Sequence, residues 1–109
     1  MSIALPNPIK RYFAADATRD FGSLAACFTD HATVKDEGQV YQGCSEIIAW
    51  KRGAGSKYTY TVEPFALEIE ADRTIVTSHL VGNFPGSPVD LRYAFRFVGG
   101  RIAELQIAV

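Results

Sequence analysis

At 109 residues the chain has the size of one domain built on one hydrophobic core, and we expect a single domain over residues 1–109. Hydrophobic residues make up 48% and charged residues 21%, a composition that argues against a disordered chain. The net charge of -1 and the scattered basic residues argue against a nucleic-acid or membrane-surface partner.

Three helices are predicted in the N-terminal half of the chain. Asp20 is a suitable N-cap for the second helix. The third is expected to begin after Gly43, with Ser45 as its cap, and to end in a last turn at Lys51–Gly53. The buried residues expected of these helices recur at helical spacing: Ile9, Tyr12, Phe13 and Asp16 in the first, Leu24, Cys27 and Phe28 in the second, Ile47, Ile48 and Trp50 in the third.

A short strand is predicted between the second and third helices, at His31–Asp36. Its residues alternate with period two, so Ala32, Val34 and Asp36 share one face. The more apolar face of this strand therefore ends in an acid. Burial among apolar side chains disfavours the charged form of a carboxyl group, which raises its pKa and makes it a stronger base.

The C-terminal half is predicted to be a run of strands. A one-residue change of phase at Pro64 indicates a bulge or bend in the first of them. Turn signals at Pro85–Pro88 and Gly99–Gly100 separate strands that should run antiparallel, as a meander. Their apolar faces are expected to comprise Val89, Leu91, Tyr93, Phe95 and Phe97 in one strand and Leu105, Ile107 and Val109 in the last.

These elements predict an α+β fold. Three helices from the N-terminal half should pack on the concave side of a strongly bent antiparallel sheet, a cone or roll, and enclose an apolar pocket. The residues expected to line that pocket and to contact a small apolar ligand are Phe13, Trp50, Tyr60, His79 and Phe95.

Several stretches resemble the nuclear transport factor 2-like superfamily, in its SnoaL-like branch. The resemblance covers nearly the whole chain and implies a cone of three helices and a bent sheet with a pocket between them. This fold hosts isomerases, cyclases, dehydratases, epoxide hydrolases and binding proteins, so the resemblance is specific for the fold and not for a reaction. The similar stretches are Ile9–Ala15, Cys27–Asp36, Tyr41–Gly43, Ile47–Trp50 and Ala94–Phe97.

Within that superfamily the pattern is most similar to ketosteroid isomerase. That enzyme has a tyrosine in a context similar to Lys10–Tyr12 and an aspartate base in a context similar to Thr33–Asp36. Its third polar residue, a protonated aspartate, falls on Tyr93, a departure that keeps a hydrogen-bond donor. The resemblance thus implies proton abstraction next to a carbonyl without a cofactor, with Asp36 as the base and Tyr12 and Tyr93 as oxyanion donors.

Each of these residues has a structural alternative. Asp36 precedes Glu37–Gly38, where an acid often caps a turn. Tyr12 can be a core residue whose hydroxyl is bonded to the protein, and one slip in register would turn Tyr93 outward. His79, mid-strand, can be a packing residue, or it can join Asp36 in a dehydratase.

Other site chemistries have less support in the sequence. SnoaL-type cyclases resemble one another in an acid on the last strand, where Glu104 and Gln106 here lie off the apolar side. No second His or Cys lies at metal-ligand spacing from either histidine, so we expect no metal. There is no glycine-rich phosphate loop and no evident nucleophile pair.

The cysteines and the N-terminus favour the cytoplasm. Cys27 and Cys44 are expected to be free thiols, because a chain with this much core needs no disulfide. The segment Met1–Lys10 lacks the pattern of a signal peptide, and no apolar run approaches the ~20 residues of a membrane span.

The sequence is compatible with three functions. The first is a small isomerase or lyase, and the second is a non-catalytic module that binds a small apolar molecule in the same pocket. The third is an assembly protein that dimerises through the outer face of the sheet. Val76, Leu80 and Phe84 are expected to point outward there, opposite His79. A homodimer is expected under all three.

Overall fold

The structure, a computed structural model, describes residues 3–109 except for the side chains at 54–57, so Met1 and Ser2 of the predicted N-terminal segment lie outside it. Within this part of the chain, no helix is long and apolar enough to cross a membrane. The elements follow one another as α1 (Asn7–Thr18), α2 (Phe21–Ala26), β1 (Phe28–Asp36), β2 (Gln39–Gln42), α3 (Cys44–Lys57), β3 (Tyr60–Glu70), β4 (Arg73–Gly82), β5 (Val89–Val98) and β6 (Arg101–Ala108).

The predicted helices are present, with differences at their ends. Asp20 caps α2 as expected, because its Oδ1 accepts a hydrogen bond of 3.1 Å from the backbone N–H of Ser23. The N-cap of α3 is Gly43, at a φ of 84° that favours glycine, so the prediction that Ser45 caps this helix is wrong. The same helix continues past Gly53 to Lys57.

The strands form one open sheet in the order β2-β1-β6-β5-β4-β3. The predicted antiparallel meander is confirmed for β3 to β6. The sheet as a whole is mixed, because β1 lies parallel to β6. The short strand β2, which the sequence patterns did not reveal, pairs antiparallel with β1 and forms one edge. An α+β fold with three helices on a sheet is therefore confirmed, with one parallel pair added.

The bulge predicted at Pro64 is confirmed. Pro64 pairs with Ser78 and Ala66 pairs with Thr77, which leaves Phe65 as the extra residue of β3. A second shift of register lies between Arg96 and Phe97. Such shifts increase the local twist and bend the strand.

The hydrophobic core lies between the helices and the facing side of the sheet. The inward faces predicted for β1 and β5 are confirmed, since Ala32, Val34 and Phe95 have no exposed surface and Tyr93 is buried. Further fully buried members of this core are Ile9, Tyr12, Phe28, Val76, Ile102 and Leu105.

The faces of β4 are the reverse of the prediction. Val76 and Leu80 are buried in the core, whereas His79 and Val81 point outward. Both faces of this strand carry apolar residues, so alternation alone cannot tell them apart. The pairing of β4 with β5 determines which face of β4 is buried, because Val76 lies opposite Tyr93, whose aromatic side chain faces the core.

Gly82, at the end of β4, lies close to the backbone at the start of β3. A Cβ at this position would be 2.3 Å from the Thr59 carbonyl oxygen and 2.5 Å from the Tyr60 Cβ. We expect Gly82→Ala to lower the free energy of unfolding by about 1–3 kcal/mol, because the two strands must separate.

Gly53→Ala is the matched control for this substitution. A Cβ at Gly53 meets nothing within 4 Å, and the residue lies in a helix. We expect this change to raise the free energy of unfolding by about 0.5–1 kcal/mol. Urea unfolding of both variants tests the pair, and equal stabilities would contradict the close approach of β3 and β4.

Candidate functional site

A half-open cavity of about 950 Å³ lies between α3 and the inner side of the sheet. Two smaller depressions, of about 580 and 640 Å³, lie at the start of α3 and beside α1, α2 and the β5–β6 turn. The wall of the larger cavity combines aromatic, aliphatic and charged side chains, including Asp36, Trp50, Lys51, Tyr60, Leu91 and Tyr93.

Asp36 is one of three acidic side chains that border this cavity, with Glu37 and Glu46. It is the last residue of β1, and alternation from Ala32 and Val34 turns it inward. Its Oδ2 accepts a hydrogen bond of 3.1 Å from the indole Nε1 of Trp50. Burial raises the pKa of the Asp36 carboxyl, while the Trp50 hydrogen bond and the Lys51 charge oppose this rise. A carboxylate in this setting is a stronger base than one in water.

Trp50 connects Asp36 to the aromatic wall. Its ring stacks on Tyr41 at 5.6 Å between centroids and 25° between planes. Tyr41 was missed by the sequence interpretation because the short strand β2 was missed. The contact between Trp50 and Asp36 had one signal in the sequence, since a buried indole N–H needs an acceptor.

Four tyrosines border the cavity, Tyr41, Tyr58, Tyr60 and Tyr93, and the last two are predicted site residues. Tyr60 is half-buried at the start of β3, and Tyr93 is buried on β5. Burial raises the pKa of both hydroxyls, so both are neutral hydrogen-bond donors at neutral pH. Neither hydroxyl is hydrogen-bonded to another residue in the described part of the chain. Both can therefore serve a ligand oxygen.

Three other predicted site residues pack behind the cavity wall. Tyr12 and Phe95 are fully buried, and Phe13 lies between them and Tyr93, with its ring 5.2 Å from both tyrosine rings. The Tyr12 hydroxyl has no hydrogen-bond partner among the described residues, and burial raises its pKa well above the usual value. The predicted set is thus split between the cavity and the core beneath it.

His79 lies on the other side of the sheet. Its side chain is 48% exposed, and its Nδ1 is 2.6 Å from Asp90 Oδ1 on the neighbouring strand. The reversed faces of β4 account for this position. The predicted pocket role of His79, and the dehydratase pairing with Asp36, find no support in this placement.

An ion pair that the sequence patterns did not reveal has one member, Lys51, at the cavity wall. Lys51 Nζ lies 3.0 Å from Asp16 Oδ1, and both side chains are largely buried. Helical spacing had placed Asp16 on the buried face of α1, whereas Lys51 was interpreted only as part of a last turn. No group of three His, Cys, Asp or Glu side chains among the described residues is placed to hold a metal.

The shifted pKa of Asp36 can be measured directly. We expect its carboxyl to titrate above the ordinary value of 3.8 in a carbon-detected NMR titration. Trp50→Phe should raise that pKa further, because it removes a hydrogen bond to the charged form.

Asp20 provides an internal control in the same spectra. Hydrogen bonds from Ser23 hold the pKa of its exposed carboxyl below the ordinary value. Trp50→Phe should leave it unchanged. An Asp36 carboxyl that titrates with or below Asp20 would contradict the buried site.

Comparison with known proteins agrees with this architecture. The family model of the SnoaL-like domain matches residues 9–105. A proposed polyketide cyclase from Sinorhizobium meliloti is 38% identical, with a TM-score of 0.90 over 95% of each chain. A comparison with curated proteins finds no match.

More distant structures share the fold. A protein of ketosteroid isomerase-like fold from Catenulispora acidiphila, solved with trimethylamine, is 18% identical, with a TM-score of 0.84 over 97% of this chain and 87% of its own. A structure from Kribbella flavida, named as a proposed ketosteroid isomerase, is 10% identical, with a TM-score of 0.78 over 94% of this chain and 74% of its own. The match to the family model over most of the chain, on the fold described above, shows that this protein belongs to the SnoaL-like domain family.

Proposed function

We propose that this protein removes a proton next to a carbonyl group of an apolar small molecule, with Asp36 as the general base and no cofactor. The observation that carries the proposal is the position of Asp36. Its carboxylate borders a cavity lined mainly by aromatic and aliphatic side chains, accepts a hydrogen bond from the Trp50 indole, and has a pKa raised by burial. A general base is most effective when its pKa approaches the working pH.

The negative charge that develops on the carbonyl oxygen needs a donor. Tyr93 is the best supported donor, because it borders the same cavity and its hydroxyl makes no hydrogen bond to another described residue. Tyr60 is similarly placed. The predicted donor Tyr12 lies deeper, in ring contact with Phe13 in the core, so a ligand would have to reach behind Tyr93.

The relatives guide the choice of substrates to test. The Sinorhizobium meliloti protein is named as a proposed polyketide cyclase, and the Kribbella flavida protein as a proposed ketosteroid isomerase. Both names point to carbonyl compounds with acidic C–H bonds. Cyclic enones and polyketide-like ketones are therefore the panel of choice.

The experiment is exchange of the α-proton with solvent deuterium across that panel. We expect the wild type to accelerate exchange for at least one member and Asp36→Asn to lose that acceleration. Equally slow exchange by both proteins across the whole panel would contradict the proposal. If a panel member then binds, and Asp36→Asn alters its affinity by about 1 kcal/mol without turnover, the protein is a binding module.

We also propose that the protein is a cytoplasmic homodimer that associates through the outer face of the sheet. Phe65, Val81 and Val98 are 44%, 47% and 55% exposed on the strands of that sheet, and a second copy would cover them. Both cysteines are free thiols, as suits a reducing compartment. Sedimentation equilibrium is expected to give twice the chain mass. A monomeric mass would contradict the dimer.

A further inference from the structure

The ion pair between α1 and α3 places a lysine at the wall of the cavity. Lys51 Nζ lies 3.0 Å from Asp16 Oδ1, with 8% and 15% of the two side chains exposed. Lysine is rarely buried to this degree unless it is paired. Lys51 borders the cavity that holds Asp36, whereas Asp16 does not. Lys51 is therefore the member of the pair that borders the ligand space.

The surroundings of the ammonium leave part of its bonding capacity unused. It lies 4.3 Å from the centroid of the Trp50 ring and 5.1 Å from that of Tyr12, distances at which a ring face attracts a cation. An ammonium has three N–H donors. Asp16 is its one carboxylate partner among the described residues. Donors thus remain for an oxygen in the cavity.

The charge of Lys51 acts on the oxygens that border the cavity. It lowers the pKa of the Tyr60 and Tyr93 hydroxyls against the larger effect of burial, and it lowers that of Asp36. A negative oxygen held by those hydroxyls would be stabilised in the same way. The titratable groups that interact with or pack against Lys51 are Asp16 and Tyr12 of α1, Asp36 of β1, Tyr60 of β3 and Tyr93 of β5.

We propose that Lys51 is a cationic binding group that holds a weakly acidic ligand oxygen as an anion, with Asp16 moderating its strength. The ligands that fit are 1,3-dicarbonyl compounds, whose enols ionise readily, and phenols, which share that acidity. A 1,3-dicarbonyl compound can be a substrate, rather than only a ligand, if Asp36 removes the proton between its two carbonyl groups. This part of the inference therefore rests on the proposed function. The bond that breaks is C–H, the proton moves to Asp36, and the electron pair becomes the enolate.

4-Nitrophenol is a suitable probe, since its absorbance separates phenol from phenolate. We expect the bound probe to ionise at lower pH on the wild type than on the charge-balanced variant Lys51→Met/Asp16→Asn. The expected difference is about one pKa unit, which is a tenfold preference for the anion. Asp16→Asn alone should lower the pKa of the probe further, because Lys51 then lacks its counter-charge. If the ion pair were purely structural, the two variants would not shift the pKa of the probe in opposite directions from the wild type.

Two results would overturn the inference. One is ionisation of the bound probe at the same pH on the wild type and both variants, each shown to be folded by near-ultraviolet circular dichroism. The other is no measurable binding to the folded wild type. If one of these variants does not fold, Lys51→Arg, which keeps the positive charge, is compared with the variant that does fold. The pKa of the bound probe must then be lower on Lys51→Arg than on the double variant, or lower on Asp16→Asn than on Lys51→Arg.

Asp36→Asn separates this inference from the proposed function. It removes the base but leaves Lys51 in place, so we expect the bound probe to ionise at least as readily as on the wild type. If the pKa of the bound probe depends on Lys51 but no panel member undergoes α-proton exchange, only the proposed function is contradicted. If α-proton exchange occurs but the pKa of the bound probe does not depend on Lys51, only the inference about Lys51 is contradicted.

Discussion

Asp36→Asn is expected to lower the rate of α-proton exchange by about 10²–10⁴-fold on any substrate that the wild type turns over, the range typical of a general base. Asparagine keeps the shape of the side chain and an acceptor for the Trp50 indole, but it cannot take up the proton. Proton NMR in deuterium oxide measures the rate as loss of the α-proton signal. A variant that exchanges at the wild-type rate would exclude Asp36 as the base.

The pH dependence of this reaction follows from the same residue. The base must be deprotonated, so the rate should rise with pH through the pKa of Asp36, which burial places above 3.8. Trp50→Phe should move this acid limb to higher pH. Asp20→Asn is the matched control, because Asp20 caps α2 and is not part of the cavity wall. Asparagine caps a helix about as well as aspartate, so Asp20→Asn should change stability little and leave exchange unchanged.

Stability should respond to Asp36→Asn in the opposite direction from activity. A carboxyl whose pKa is raised in the folded state favours folding below its ordinary pKa of 3.8 and loses that contribution as pH rises through the folded pKa. At neutral pH the ionised Asp36 therefore opposes folding. Asp36→Asn should be at least as stable as the wild type there, which separates loss of the base from loss of the fold.

Lys51→Met is expected to have the largest effect on stability, a loss of about 3–5 kcal/mol of unfolding free energy. Removing one member of a buried ion pair leaves the other charge, here Asp16, in a poorly hydrated place. The double variant Lys51→Met/Asp16→Asn should recover most of the loss, since no uncompensated charge remains. Urea unfolding followed by the fluorescence of Trp50, the one tryptophan, measures both.

The comparison of single and double variants decides this prediction. Equal stabilities would show that the Lys51 side chain contributes only by packing against Trp50 and Tyr12. The same variants serve the 4-nitrophenol experiment, so a change in probe ionisation can be compared with any change in stability.

Much of the fold could be predicted because local patterns agreed with it. The cap at Asp20, the bulge at Pro64 and the inward faces of β1 and β5 each follow from a few neighbouring residues. One face of β1 and β5 is clearly more apolar than the other, so burial has a single solution there. The strand β2 could not be predicted, because its four residues carry no periodic pattern.

The sequence by itself determined that Asp36 ends an inward strand face and that Tyr93 faces the same interior. Tertiary structure alone decided what surrounds them. Pairing with β5 turned His79 outward, since both faces of β4 are apolar enough to be buried. The fold brought Asp16 of α1 to Lys51 of α3, and the packing of α3 against β1 brought Trp50 to Asp36. These contacts join residues far apart in the chain, and spacing carries no information about such distances.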